Sequence, residues 1–285
     1  MRSVKLLRAL ALVCFMAGTP VRANDPSPLP FVEGSWTIVL LPDTQRYSQN
    51  FPDTFRNQTR WIRENKERRR IAFVLHEGDI VNRAMMPEWE NARSAMSILD
   101  GHVPYVLAAG NHDYTGVMER ATSMSNFFPV EKFRQQATFG GTFETNRIEN
   151  SYHLFAAGGV DWVVIALETA PRDAAVHWAD QVLKRYPNRK GIIVTHAYLY
   201  NDNTRYDYKT RPDQLWSPHP RGVHRDGIND GEELWEKLVA SNRTMAFVFC
   251  GHVLGDGAGR LTSRGTKGNL VHQILLNCQS YPGGG

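Results

Sequence analysis

Short apolar runs rich in β-formers recur along the chain, each stopping at a cluster of small, acidic, amide or imidazole residues. They occupy residues 36–41, 71–75, 103–108, 162–167, 191–194 and 245–249. Between several of them lie stretches of helical character: 54–69 with Asp53 as N-cap, 87–99 with proline in its first turn, 173–185 and 231–240. Strands alternating with helices predict a layered α/β domain. Apolar runs without alternation predict sheet covered on both faces. Residues 260–263 and 270–277 read as late antiparallel strands joined by a Gly-containing turn. Two regions, 115–150 and 198–230, show no clear period. Irregular segments of that length in a compact domain are usually functional or mobile. They flank the strand-end clusters, so they are expected to wall a substrate site. No internal repeat is present.

Composition narrows the class. With 285 residues, 42% of them hydrophobic and 22% charged, the chain suits one large soluble domain and not a disordered, fibrous or multi-span membrane protein. Residues 1–23 read as a signal peptide. Arg2, Lys5 and Arg8 precede an apolar run over 9–17, Pro20 breaks it, and Val21-Arg22-Ala23 offers a cleavage site. The run is too short to span a bilayer, and Val13 before Cys14 argues against a lipid anchor. The proline-rich stretch 24–34 then reads as a linker, and 35–285 as the folded domain. Export to the periplasm or beyond follows, with no transmembrane segment in the mature chain.

Cleavage near Ala23 changes the charge. The segment removed holds four basic residues and no acids, leaving 29 of the 33 basic residues against 29 acidic ones. A net charge of zero disfavours nucleic acid as partner, because tracking phosphates needs a basic groove. Cys250 and Cys278 survive processing. An oxidising compartment would permit a bridge between them, which the sequence does not establish.

Each strand end delivers a candidate ligand. The first gives Asp43-Thr44-Gln45, the second Gly78-Asp79-Ile80-Val81-Asn82, the third Gly110-Asn111-His112-Asp113. The fifth gives His196 and the sixth Cys250-Gly251-His252. In open α/β sheets the carboxyl ends of strands are where sites are built. Carboxylate, amide oxygen and imidazole together suit Mn, Fe or Zn. A single Asp or His after a strand is more often a turn residue or cap. Five such clusters in order, each behind an apolar strand, are hard to dismiss.

The ordered set resembles the calcineurin-like metallophosphoesterase superfamily, whose pattern is D-x-H, G-D-x-x-D/N, G-N-H-D/E, a lone H, and G-H-x-H. The likeness covers most of the mature chain, and Gly110-Asn111-His112-Asp113 is its most specific piece. It implies a four-layer α/β sandwich of two facing mixed β-sheets flanked by helices. It also implies two divalent ions that activate a water against a small phosphate mono- or diester. Asp79 would bridge them; Asn111, His196 and His252 would complete one set, Asp43 and Gln45 the other. His112 would serve the leaving group. Asp113 would either orient His112 or cap the turn. Gly110 would let the chain turn tightly.

Gln45 and Leu254 depart from the pattern where histidine is commonest, and both changes fall on the same ion. That position is therefore expected to be weak, or completed by a ligand from elsewhere. The resemblance would also add a strand after 277, so the domain reads as cut short at its C-terminus. Two rivals stay open: a catalytically silent metal-binding protein, motivated by Gln45 and Leu254, and an exported nuclease, disfavoured by the charge. His76, His219 and His224 read as satisfied or solvated histidines, and Glu168 as a cap or a ligand-orienting group.

Overall fold

A computed structural model describes residues 32–116, 120–219 and 227–284. The segment expected to be a signal peptide, the start of the expected linker and His224 lie outside the described residues. The apolar runs become strands, and their side chains point alternately to two cores. β1 (Thr37–Leu41), β2 (Ile71–His76) and β3 (Tyr105–Leu107) form a three-stranded sheet in the order β1-β2-β3. Both pairings are parallel, so this sheet is not mixed as expected.

The second sheet comprises β4 (Phe139–Thr142), β5 (Ser151–Ala157), β6 (Val160–Ala166), β7 (Lys190–Val194), β8 (Met245–Cys250), β9 (Ala258–Arg264) and β10 (Leu270–Leu276). Its order is β4-β5-β6-β7-β8-β10-β9. Parallel pairing from β6 through β7 and β8 to β10 is flanked by antiparallel pairs on both sides.

The two sheets pack face to face. Ile38, Phe73, Leu75 and Val106 from one meet Phe155, Val164, Ile192 and Phe249 from the other, and Phe73 stacks on Phe155 at 4.9 Å between ring centroids. The opposite face of the small sheet is covered by α1 (Gln45–Asn50), α2 (Pro52–Glu64), α3 (Met86–Met96) and two single turns, α4 (Met124–Phe127) and α5 (Val130–Phe133). The outer face of the large sheet is covered by α6 (Asp173–Arg185) and α7 (Gly231–Leu234), which continues as a wider turn through Trp235–Val239. The result is helix, sheet, sheet, helix: the four layers expected.

Element ends differ from expectation in ways the local chemistry explains. The helix expected at 54–69 begins at Pro52 and ends at Glu64. Proline is preorganised for a first helical position, so Asp53 falls inside the first turn and pairs with Arg56 at 2.6 Å instead of capping. β4 lies inside the region without a period, and β5 directly follows it. Cys250 is a buried thiol, and the bridge to Cys278 is not formed.

Candidate metal centre

Asp43, Asp79 and Asn111 follow the three strands of the small sheet, while His196 and His252 follow β7 and β8 of the large one. Because the sheets face each other with these ends together, both sheets contribute to one cluster. Ligand atoms of Asp43, Asp79 and His196, all buried, lie within 4.8 Å of one another.

Asp79 sits at the centre. Its Oδ1 accepts the His112 backbone N–H at 2.9 Å and faces His196 Nε2 at 3.2 Å, and its Oδ2 accepts Gln45 Nε2 at 2.9 Å. Asp43 accepts the His252 backbone N–H at 3.1 Å. Asp43, Asp79 and His252 all adopt left-handed backbone, with φ of 42°, 50° and 74°. Non-glycine residues there are strained, and such strain collects at functional sites. Two glycines make the close packing possible by leaving space. A Cβ on Gly110 would lie 2.1 Å from Asp79 Oδ1, and one on Gly251 would lie 2.1 Å from Asp43 Oδ2. Gly110 itself has an extended backbone (φ −89°, ψ 179°), so the expected reason, a tight turn, is replaced by room for the carboxylate.

The two imidazoles are held by main-chain carbonyls. His196 Nδ1 donates to the Glu77 carbonyl at 2.9 Å, and His252 Nε2 donates to the Trp216 carbonyl at 3.0 Å. Each ring therefore turns its other nitrogen inward, and His196 Nε2 and His252 Nδ1 stand 3.1 Å apart. Two ring nitrogens at that distance need a proton or a cation between them. This is the usual dress of metal-binding histidine, whose remote N–H goes to a carbonyl or carboxylate.

The field at this point favours positive charge. Burial alone would lower the His196 pKa, yet Asp79 and Asp43 outweigh it and raise it to about 9. Burial pushes Asp43 up to about 8, against the pull of His196 and with the help of the Asp79 charge. For Asp79 burial acts upward too, but His196, His112 and His252 hold it below the ordinary carboxylate range. Gln45 Oε1 and Asn111 Oδ1 are buried acceptors with no donor. Carboxylates, donorless amide oxygens and inward-turned imidazole nitrogens are the donor set of a divalent transition metal, so the residues present fit the group.

His112 is exposed, and its Nδ1 donates to the Asn82 carbonyl at 2.7 Å, which leaves Nε2 for solvent or substrate. Asp113 does not orient that ring. Its carboxylate accepts the Gly110 and Val81 backbone N–H groups at 2.8 and 2.9 Å, the capping alternative. His76 is a buried strand histidine: Gly78 N–H donates to its Nδ1 at 3.3 Å, and its Nε2 meets Thr44 Oγ1 at 2.9 Å. It thus ties together the neighbours of Asp43 and Asp79. Glu168 binds no site residue; it bonds the Arg172 guanidinium at 2.7 Å and the Arg172 N–H at the start of α6.

His219 stands apart, with Asp230 and Glu233. Those carboxylates are occupied by helix capping: Asp230 and Glu233 exchange backbone hydrogen bonds at 3.0 and 3.1 Å, and His219 Nε2 joins Glu233 at 2.8 Å. The carbonyls of Glu77, Trp216 and Asn82 that orient the three histidines were invisible in the sequence, because main-chain atoms carry no residue signature.

Residues 37–256 match the family of calcineurin-like phosphoesterases. The chain is 31% identical over 265 residues to the uncharacterized protein YvnB of Bacillus subtilis, covering 90% of this chain. It spans only 18% of that relative's length. Two solved structures share the fold at 15% identity. One is the purple acid phosphatase PPD1 of yellow lupin, with a TM-score of 0.51 over 87% of this chain and 45% of that one. The other is a dimetal phosphatase of Danio rerio, with a TM-score of 0.50 over 84% of this chain and 86% of that one.

Proposed function

The chain belongs to the calcineurin-like phosphoesterase family, and on that premise we propose that it hydrolyses a phosphate mono- or diester with divalent metal, after export. The observation that carries the reading is the inward pair His196 Nε2 and His252 Nδ1, 3.1 Å apart beside Asp79, with the donorless oxygens of Gln45 and Asn111 nearby in the fold.

One cation would be held by Asp79, Asn111, His196 and His252. The other would be held by Asp43, Gln45 and Asp79, a thinner set because Gln45 is neutral and Leu254 has no donor. Mn, Fe or Zn would each suit these donors. Such ions, when bound, supply positive charge to phosphoryl oxygens and lower the pKa of a water they bind.

The protein's own part is positional. Asp79, held by Gln45 and the His112 N–H, keeps a carboxylate between the two sets. The Glu77 and Trp216 carbonyls fix the tautomers of His196 and His252. His112, braced through Nδ1, keeps Nε2 ready to hand a proton to the departing alkoxide. A binding-only protein has no use for that group, which favours the enzyme over the silent reading.

The test is hydrolysis by the mature chain of p-nitrophenyl phosphate and its bis(p-nitrophenyl) diester, with excess Mn²⁺ and with chelator. Metal-dependent turnover should vanish in Asp79→Asn and fall by about 100-fold or more in His112→Ala, in the range of general acid catalysis. Folded, metal-loaded protein that turns over neither ester would overturn the reading.

A further inference from the structure

Nine large hydrophobic side chains are exposed among the described residues, and they are not scattered. Five of the nine, Met85, Met86, Tyr208, Leu215 and Trp216, lie on the two segments whose carbonyls brace His112 and His252. Met86 is 60% exposed and Leu215 59%. Single exposed apolar residues are ordinary, but five on two segments that each hold a histidine of the polar cluster are grounds for a binding surface there.

Neither segment is slack. On the His112 side, the buried Glu88 carboxylate accepts the Asn82 and Arg83 N–H groups at 2.9 and 2.8 Å, and Asn82 Nδ2 donates to Gln49 at 2.9 Å. On the His252 side, Tyr206 Oη donates to the Leu215 carbonyl at 2.8 Å, and the Asp207 N–H donates to the buried Gln214 at 2.8 Å. Tyr206 in turn packs 6.1 Å from the His252 ring. Ala84 and Trp216 hold left-handed backbone, φ 52° and 61°. For a tryptophan that conformation is strained and persists only when the surroundings enforce it. Two braced, strained segments thus flank the metal centre and turn sulfur, aliphatic and aromatic surface to solvent.

The geometry points to a phosphate ester carrying a bulky apolar substituent as the substrate: the phosphoryl group at the metal centre, the alkyl or aryl group between the 82–86 and 206–217 segments. This rests on the phosphoesterase reading above and names its substrate class. Burying one methylene is worth up to roughly a fourfold gain in kcat/KM.

Two pairs of soluble probes test it with the metal-loaded chain: methyl against hexyl p-nitrophenyl phosphate, and ethyl against hexyl phosphate. In the first pair water adds to phosphorus, the P–O bond to the nitrophenyl group breaks, and p-nitrophenolate and an alkyl phosphate leave. The leaving group stays constant, so only recognition of the chain varies. The hexyl ester is expected to be favoured by about tenfold or more. Met85→Ser with Met86→Ser, and separately Leu215→Ser, should bring that ratio towards one, whereas Leu270→Ser, exposed on β10, should leave it alone.

Vesicles of phosphatidylcholine distinguish sources: a gain with dissolved esters identifies a soluble substrate, and turnover confined to vesicles identifies a lipid surface, both of them apolar recognition. Hydrolysis of the short esters with no gain for hexyl and none on vesicles overturns the inference alone. So does a gain that survives all three rim substitutions. Failure to hydrolyse any ester overturns the phosphoesterase reading, and this one with it.

Discussion

At the scale of single residues the site is made from positions that general rules disfavour. Asp43, Asp79 and His252 occupy left-handed backbone, at a cost of about 1–3 kcal/mol each. Their neighbours enforce it: Asp43 is held by the His252 N–H, and Asp79 by His112 and Gln45. Gly251 shows how little room is left, since a Cβ there would sit 2.1 Å from Asp43 Oδ2. Gly251→Ala must therefore displace the Asp43 carboxylate, and with it the second metal set proposed above. A misplacement of ~1 Å in a catalytic constellation costs about 100-fold. Steady-state kinetics on the better p-nitrophenyl ester should show that loss in kcat/KM while far-UV circular dichroism stays unchanged. Activity within twofold of the parent would mean that the Gly251 contact does not position Asp43. The side chains that converge here, Asp43, Asp79 and His196 among them, were legible in the sequence, because chemistry at strand ends is written in side chains. The carbonyls that aim them were not.

Among the elements, the ones missed have a physical reason in common. β5 runs Ser-Tyr-His-Leu-Phe-Ala-Ala, and His153 interrupts what would otherwise be an apolar run. The ring nevertheless faces the inter-sheet core with Phe155, against Phe73, Phe133 and Phe139. Thr138 Oγ1 meets its Nδ1 at 3.1 Å, and its Nε2 is buried without a partner. Burial drives the His153 pKa down to about 3 from an ordinary 6.5. Between those two values the unfolded chain binds a proton that the folded chain refuses. Stability is therefore complete above about pH 6.5 and declines as the pH falls towards 3. At pH 5 the loss from this one group is on the order of 2 kcal/mol. His76 shifts the same way by burial, so it adds a similar slope. His153→Leu should shed its own share: urea midpoints at pH 7 and pH 5, in chelator, should lie closer together than in the parent. Equal separation in both proteins would show that the ring takes up its proton in the folded state. The long apolar strands and the amphipathic α6 needed no such knowledge, and their pattern alone placed them.

The whole molecule is two sheets that meet through one apolar core and one polar cluster. Asp43, Asp79 and Asn111 come from the three-stranded sheet, His196 and His252 from the seven-stranded one. The four-layer arrangement was readable from alternating elements together with the family pattern. The pairing of the 206–217 segment with His252 was not, because it depends on a hydrogen bond to a backbone carbonyl across 36 positions of chain. A cation bound at Asp79, His196 and His252 would link the two sheets directly, and it would bind only when they are assembled. Binding confined to the native state stabilises by RT ln(1 + [L]/Kd), about 2.7 kcal/mol at 100 times Kd. For a domain of this size that corresponds to a rise in Tm of roughly 5–10 °C. Thermal melts in chelator and in excess Mn²⁺ should therefore differ by that margin in the parent chain and by far less in Asp79→Asn. Metal analysis after dialysis should leave one ion per chain, since Gln45 and Leu254 thin out the second set. Two ions resistant to dialysis would show that a further donor completes that set. Identical melts with and without Mn²⁺ would mean that no cation joins the sheets, and the proposed chemistry would lose its centre.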